Sequence, residues 1–139
     1  MTLFQKLQWH LNRKFFSILF FCRFFIYPYS KINGIKIPVS YKWSFHMLKA
    51  LFNKDYEGGE LQIINRTIDE NDRILEIGTC LGLISAFCAK KIGNDRIKTF
   101  EANPLLERRI RKLYKINSVE PDIQICLVSD KKDNSDILD

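Results

Sequence analysis

What this chain lacks narrows it before any motif is read. Its 139 residues hold no Cys-x-x-Cys pair. Cys22, Cys80, Cys88 and Cys126 stand apart in apolar runs, so neither a zinc site nor a dense disulfide scaffold follows. A free cysteine in such a setting behaves as a small hydrophobe, and this usage fits a reducing cytoplasm. No apolar run reaches the ~20 residues that a membrane-spanning helix needs. The strongest candidate, residues 15–27, is interrupted by Arg23 and stopped by Pro28. No small-x-small cleavage site follows it, which argues against a secretory signal. Internal repeats and low-complexity tracts are absent. At this length the chain is one domain at most.

What is present is ordinary for a globular protein: 46% hydrophobic and 27% charged. The net charge of +6 suits an anionic membrane surface or an anionic ligand, and does not by itself mean nucleic acid. Aromatic residues make up 13% of the chain and crowd its N-terminus. There, Lys6, Arg13 and Lys14 precede the Phe-rich run. Residues 1–30 therefore read as a separate helical segment. Two readings stay open: a helix packed on the domain or a partner, and an interfacial helix with aromatics in an anionic membrane and basic residues at its headgroups.

Residues 31–139 read as one α/β unit. Asn33-Gly34 between apolar residues signals a β-hairpin, and Ile35, Ile37 and Val39 alternate with Lys36 and Pro38 as a half-buried edge strand does. Phe45, Leu48, Leu51 and Phe52 form one face of a helix over 44–53, with His46 off that face in solvent. Residues 55–60, Asp-Tyr-Glu-Gly-Gly-Glu, read as a loop before a helix carrying Leu61, Ile63, Ile64 and Ile68. Glu57 and Glu60 suit the start of that helix electrostatically; a loop folding over a ligand is the alternative. Ile74, Leu75 and Ile77 form a short buried strand, Gly78 and Gly82 a tight turn, and Leu83 to about Lys91 a helix. Gly93 takes a left-handed position at its end. A second strand over 97–100 ends at Glu101. A helix follows from Leu105 to about Lys115, with Leu106, Ile110, Leu113 and Tyr114 on one face. Arg108, Arg109, Arg111, Lys112 and Lys115 fill the other face, as a solvated surface or as a contact for an anionic one. A third strand covers 122–128. Strands alternating with helices predict a parallel sheet with right-handed crossovers.

The turn at Gly78–Gly82 organises the rest. Glycine admits positive φ and a close ligand, and the helix after it points free N–H groups and its positive end at the site. A ribose-bearing ligand needs an acceptor for its vicinal hydroxyls, and Glu101 stands where a βαβ unit puts one. The dinucleotide fingerprint wants G-x-G-x-x-G, and the run from Gly78 lacks the second and third glycines. Cys80 crowds a pyrophosphate, and Glu76 repels phosphate while suiting a cationic amino-acid group. Both favour S-adenosylmethionine over NAD.

Leu75-Glu76-Ile77-Gly78-Thr79-Cys80-Leu81-Gly82 resembles motif I of class I methyltransferases, and its acid-x-Gly-x-x-x-Gly form is similar to the FkbM type. Phe100-Glu101-Ala102-Asn103-Pro104 resembles that family's loop after strand two. Tyr56-Glu57 with Glu60 resembles its approach segment, and Asn33-Gly34 its N-terminal region. The resemblance covers about 33–130. Thr79-Cys80 stand where members carry Ala-Asn, and Glu76 where they carry Asp. The resemblance implies a Rossmann-like class I methyltransferase fold of about seven strands. The chain would hold the first three parallel strands, behind an N-terminal helix and hairpin. It also implies that S-adenosylmethionine is held by Glu57, Glu76, Gly78, Thr79, Cys80, Gly82, Glu101 and Asn103. The implied activity is O-methylation of a small-molecule or glycan hydroxyl, with no nucleic-acid partner and no metal. No catalytic base is assigned.

The same resemblance makes the chain a truncated methyltransferase, weakly active or inactive alone. Strand one would then be an open edge, an aggregation hazard, and the chain would need a partner subunit to complete the sheet. The alternative is a non-catalytic interaction module, docking on another subunit or on a membrane through residues 1–30.

Overall fold

The computed structural model describes residues 28–40 and 43–129. The N-terminal segment up to residue 27, and with it the choice between a packed and a membrane-lying helix, falls outside the described residues, as does the polar tail from 130.

The hairpin forms where Asn33-Gly34 requires it. Strands β1 (Tyr29–Ile32) and β2 (Ile35–Pro38) pair antiparallel, with φ of 44° at Asn33 and 85° at Gly34. Both central residues need positive φ, which Asn and Gly tolerate best. Ile32, Ile35 and Ile37 are buried. Helix α1 (Phe45–Asn53) starts at Ser44, whose Oγ accepts the N–H of Met47 at 3.3 Å. Leu51 fastens it to the hairpin, its carbonyl accepting the Ser30 hydroxyl at 2.7 Å inside the core.

Helix α2 spans Gly58–Thr67. It takes in both glycines that the sequence assigns to a loop. The first turn of a helix has free N–H groups in any case, and the chain enters it through Glu57 at φ 52°.

A three-stranded parallel sheet of order β3-β4-β5 follows: β3 Ile74–Ile77, β4 Ile97–Glu101, β5 Asp122–Ile125. Helix α3 (Leu83–Ile92) joins β3 to β4, and helix α4 (Glu107–Asn117) joins β4 to β5. The two helices touch each other and cover one face of the sheet. Strand β5 stops at Ile125 because that residue already lies opposite Glu101, the last of β4. Beyond it there is no strand to pair with, so the expected run to Val128 ends early. Gly93 has positive φ, 99°, but with ψ 153° it is extended rather than left-handed helical.

The core lies between the sheet, α3, α4 and the hairpin. Asn117 ties the hairpin to α4. Its side-chain amide accepts the N–H of Lys36 at 2.8 Å and donates to the Lys36 carbonyl at 2.7 Å, as a neighbouring strand would. Among the described residues nothing covers the opposite face of the sheet. Leu75 and Ile77 are 63% and 64% exposed, so β3 is not the buried strand that its composition suggests. Lys98 and Asp122 pair across this face at 3.6 Å. Among the described residues strand β3 has β4 on one side only, and such an edge templates association. Ile77→Lys should therefore leave the unfolding midpoint within about 0.5 kcal/mol of wild type while reducing self-association in sedimentation velocity. Unchanged association would place the sticky surface elsewhere.

Candidate functional site

The site sits at the carboxyl ends of β3 and β4. Gly78 and Thr79 both donate their N–H to the Phe100 carbonyl, at 2.8 and 3.1 Å, which pins the turn to β4. Cys80 then takes φ 54°, and its N–H reaches Glu101 Oε2 at 2.8 Å. The other oxygen of Glu101 accepts the N–H of Asn103 at 2.8 Å. A carboxylate offers about four acceptor positions. Two are used here, so each oxygen can accept one bond more. Glu101 is thus a fixed, buried acceptor, 7% exposed.

A polar chain runs beneath the turn. Thr99 donates to Glu76 Oε2 at 2.5 Å, and the Thr79 and Thr99 hydroxyls are hydrogen-bonded to each other. Ser85 and Tyr114 share a bond of 2.7 Å in the core. Burial raises the Glu76 carboxyl above its ordinary range, and hydrogen bonds from Thr99, Ser85 and Thr79 oppose that only in part. Burial likewise pushes the Tyr114 phenol upward.

Tyr56 and Glu57 close the site from the approach to α2. The Tyr56 hydroxyl donates to Cys80 Sγ at 3.3 Å, and burial raises its phenol far above the usual range. Glu57 Oε2 is buried without a hydrogen-bond partner. Burial pushes this carboxyl up to about 7, the charges of Glu60 and Glu76 add to the rise, and the Tyr56 hydroxyl works against it. The consequence for stability has a definite sign. Between pH 4.5 and about 7 the unfolded chain has released this proton and the folded chain has not. The contribution of Glu57 to folding therefore declines as pH rises through that window. A largely buried carboxyl that costs stability when charged is a candidate for a functional role. Its left-handed backbone, shared with Cys80 at the same site, is uncommon for residues with a Cβ.

The structure thus brings Glu57, Glu76, Gly78, Cys80 and Glu101 together, and gives Gly82, Thr79 and Asn103 structural contacts of their own. Gly78 is exposed, with nothing within 4 Å of where a Cβ would stand, so a ligand can approach its backbone. Gly82 faces away: a Cβ there would lie 2.8 Å from Tyr114 Cε1 and 3.0 Å from Ile110 Cγ2. Its smallness serves the approach of α4. Thr79 is 2% exposed, with its hydroxyl engaged by Thr99 and the Phe100 carbonyl. The Asn103 side chain accepts the Leu105 N–H at 3.0 Å and so caps the turn ahead of α4. Sequence reasoning passed over Thr99, Ser85 and Tyr114. Thr99 carried a signal, because it shares a strand face with buried Ile97 and Glu101.

Among the described residues no helix is long and apolar enough to cross a membrane, and no cluster of His, Cys, Asp and Glu is arranged to hold a metal. No family model and no curated protein matches the chain. Among solved structures it is similar to the Pyrococcus abyssi tRNA (uracil-54, C5)-methyltransferase in complex with S-adenosyl-L-homocysteine. The TM-score is 0.52 and the identity 17%, over 73% of this chain and 24% of that one. The chain thus spans about a quarter of that protein's length. The likeness shows the fold: this is the Rossmann-like arrangement of parallel strands and helices that a methyltransferase uses.

Proposed function

We propose that the chain binds S-adenosylmethionine and belongs to a methyltransferase of FkbM type, acting on a hydroxyl of a sugar or other small molecule. One observation carries the cofactor reading: an acid-lined turn, with Glu57 held near Glu76 and an exposed Gly78 that leaves its backbone open to approach. A dinucleotide would bring a pyrophosphate to this turn, against Glu57 and Glu76. S-adenosylmethionine brings an ammonium group instead. Glu101 would accept the ribose hydroxyls with its two remaining acceptor positions, Glu57 would meet the ammonium, and Gly78 would let the cofactor pass close to the backbone. The cofactor supplies an electrophilic methyl group. What these residues do is orient it and hold its charged end in a half-dry setting. The FkbM assignment and the hydroxyl acceptor rest on the motif I resemblance. The fold relative that acts on tRNA leaves a nucleic-acid acceptor as the competing outcome.

Calorimetry tests the cofactor. S-adenosylhomocysteine should bind at pH 8 and NAD should not. Affinity should fall several-fold from pH 8 to pH 6, as Glu57 takes up its proton near 7 and loses its attraction for the ammonium. Glu57→Gln should flatten that profile and make the ligand-free fold more stable at pH 8 by about 1–2 kcal/mol, after solvent screening. NAD binding with no response to S-adenosylhomocysteine would end this reading.

A second reading has its own observation. The exposed Leu75–Ile77 face and the open edge of β3 suit an interaction module, or an enzyme whose sheet a partner subunit completes. We propose a cytoplasmic location, with the basic, Phe-rich part of residues 1–30 that precedes β1 as its contact with membranes.

A further inference from the structure

Helix α4 carries a feature that neither packing nor the cofactor site explains. Arg108 and Arg109 stand in its first turn. That end of a helix already carries positive partial charge, so cations there are unfavourable. Lys112 lies one turn further on, four residues from Arg108 and three from Arg109, where like charges repel. Among the described residues none of the three has an ion-pair or hydrogen-bond partner; Glu107 is spent on Arg111 at 2.7 Å. Stability gives no reason for this arrangement.

All three line one cavity of about 260 Å³ between α4 and the hairpin. Its opposite wall is apolar: Ile37, Val39, Trp43 and Leu81. Trp43 stands in that wall with its indole N–H buried and without an acceptor. A buried donor left without a partner costs free energy, as Glu57 does on the acid side. Two guanidinium groups and one ammonium form a donor set for an oxyanion. Arginine in particular matches the oxygens of phosphate in pairs. The apolar wall would seat the group that the phosphate is attached to. A cavity of this size is small for a whole cofactor and suits a phosphate with part of its ester.

We propose that this cavity binds the phosphate group of a phosphate ester with an apolar or aromatic body. The ester is a soluble metabolite or a lipid headgroup; the recognition chemistry is the same. Leu81 belongs to the Gly78–Gly82 turn as well as to this wall, so the bound ester lies next to the candidate cofactor site without using its acids. The proposal stands apart from the methyltransferase reading.

The test uses the full chain carrying Trp9→Phe, which leaves Trp43 as the one indole. Trp43 fluorescence should change saturably with inorganic pyrophosphate, and sodium chloride at matched ionic strength should not reproduce the change. Arg108→Ala/Lys112→Ala should weaken binding at least tenfold while S-adenosylhomocysteine affinity stays as it was. Arg111→Ala/Lys115→Ala removes the same charge outside the cavity and should leave pyrophosphate binding within twofold. Phosphatidic acid vesicles, compared with phosphatidylcholine, separate the sources. Binding to the former that pyrophosphate displaces identifies a lipid headgroup, and pyrophosphate binding alone identifies a soluble ester. No saturable response, or equal loss in both double variants, overturns the proposal. So does tighter binding of single-stranded RNA that the cavity variant abolishes, which would reassign the surface to nucleic acid.

Discussion

Replacing Glu101 by alanine should lower affinity for S-adenosylhomocysteine at least a hundredfold. The size of the effect follows from how many groups depend on this carboxylate. Two vicinal hydroxyls would lose a charged acceptor, and a hydrogen bond to a charged group contributes about 1.5–3 kcal/mol. The Cys80 and Asn103 N–H groups would lose theirs as well, so the turn would no longer be held in its binding shape. A hundredfold change corresponds to about 2.7 kcal/mol, less than two such bonds together. Glu101→Gln separates the two contributions. It keeps one oxygen acceptor and turns the other into a donor, so part of the affinity should survive. Isothermal titration at pH 8 reads both variants, with circular dichroism confirming that each is folded. An alanine variant that binds within threefold of wild type would mean that Glu101 is a turn brace and that the ribose lies elsewhere.

Gly82→Ala should be the most destabilising single change at the turn, at about 3 kcal/mol or more in urea unfolding. Gly78→Ala, four residues away, should cost only about 1 kcal/mol. Both glycines have positive φ, 82° and 86°, so both substitutions meet the same backbone penalty of roughly 1–2 kcal/mol. The difference lies in space. Nothing stands within 4 Å of a Cβ at position 78. At 82 the new methyl meets the Tyr114 ring at 2.8 Å, and the ring is anchored by its bond to Ser85. Overpacking of this kind costs about 1–3 kcal/mol. Equal losses at the two positions would show that α4 can retreat, and that the close approach is not what makes glycine necessary.

The two glycines also show what the sequence could and could not say. Spacing alone reveals a turn that needs glycine twice. It does not reveal that one glycine opens to solvent and the other to Tyr114, because that depends on where α4 lies. The hairpin, the alternation of strands and helices, and the acid at the end of β4 were legible because each is written in local pattern. The exposure of Leu75 and Ile77 was not. An apolar strand reads the same whether one face or both are covered. The partner-less state of Glu57 was also hidden. An acid before a helix is ordinary, and only the fold shows that burial leaves Glu57 Oε2 with nothing to bond. The basic face of α4 was visible as charge, but the cavity that gathers part of it is a property of the docked hairpin.

The Asn117–Lys36 pairing sets an order of events in time. The hairpin precedes α4 in the chain and its turn is strongly specified. Among the described residues its side-chain hydrogen bonds to α4 come from Asn117, 81 positions after Lys36. Closing so long a loop is entropically costly and slow. An isolated two-stranded hairpin is only marginally stable, so the packing of Ile35 and Ile37 is completed only when α4 docks. The cavity wall shared by these two elements is then among the last parts of the protein to come into being.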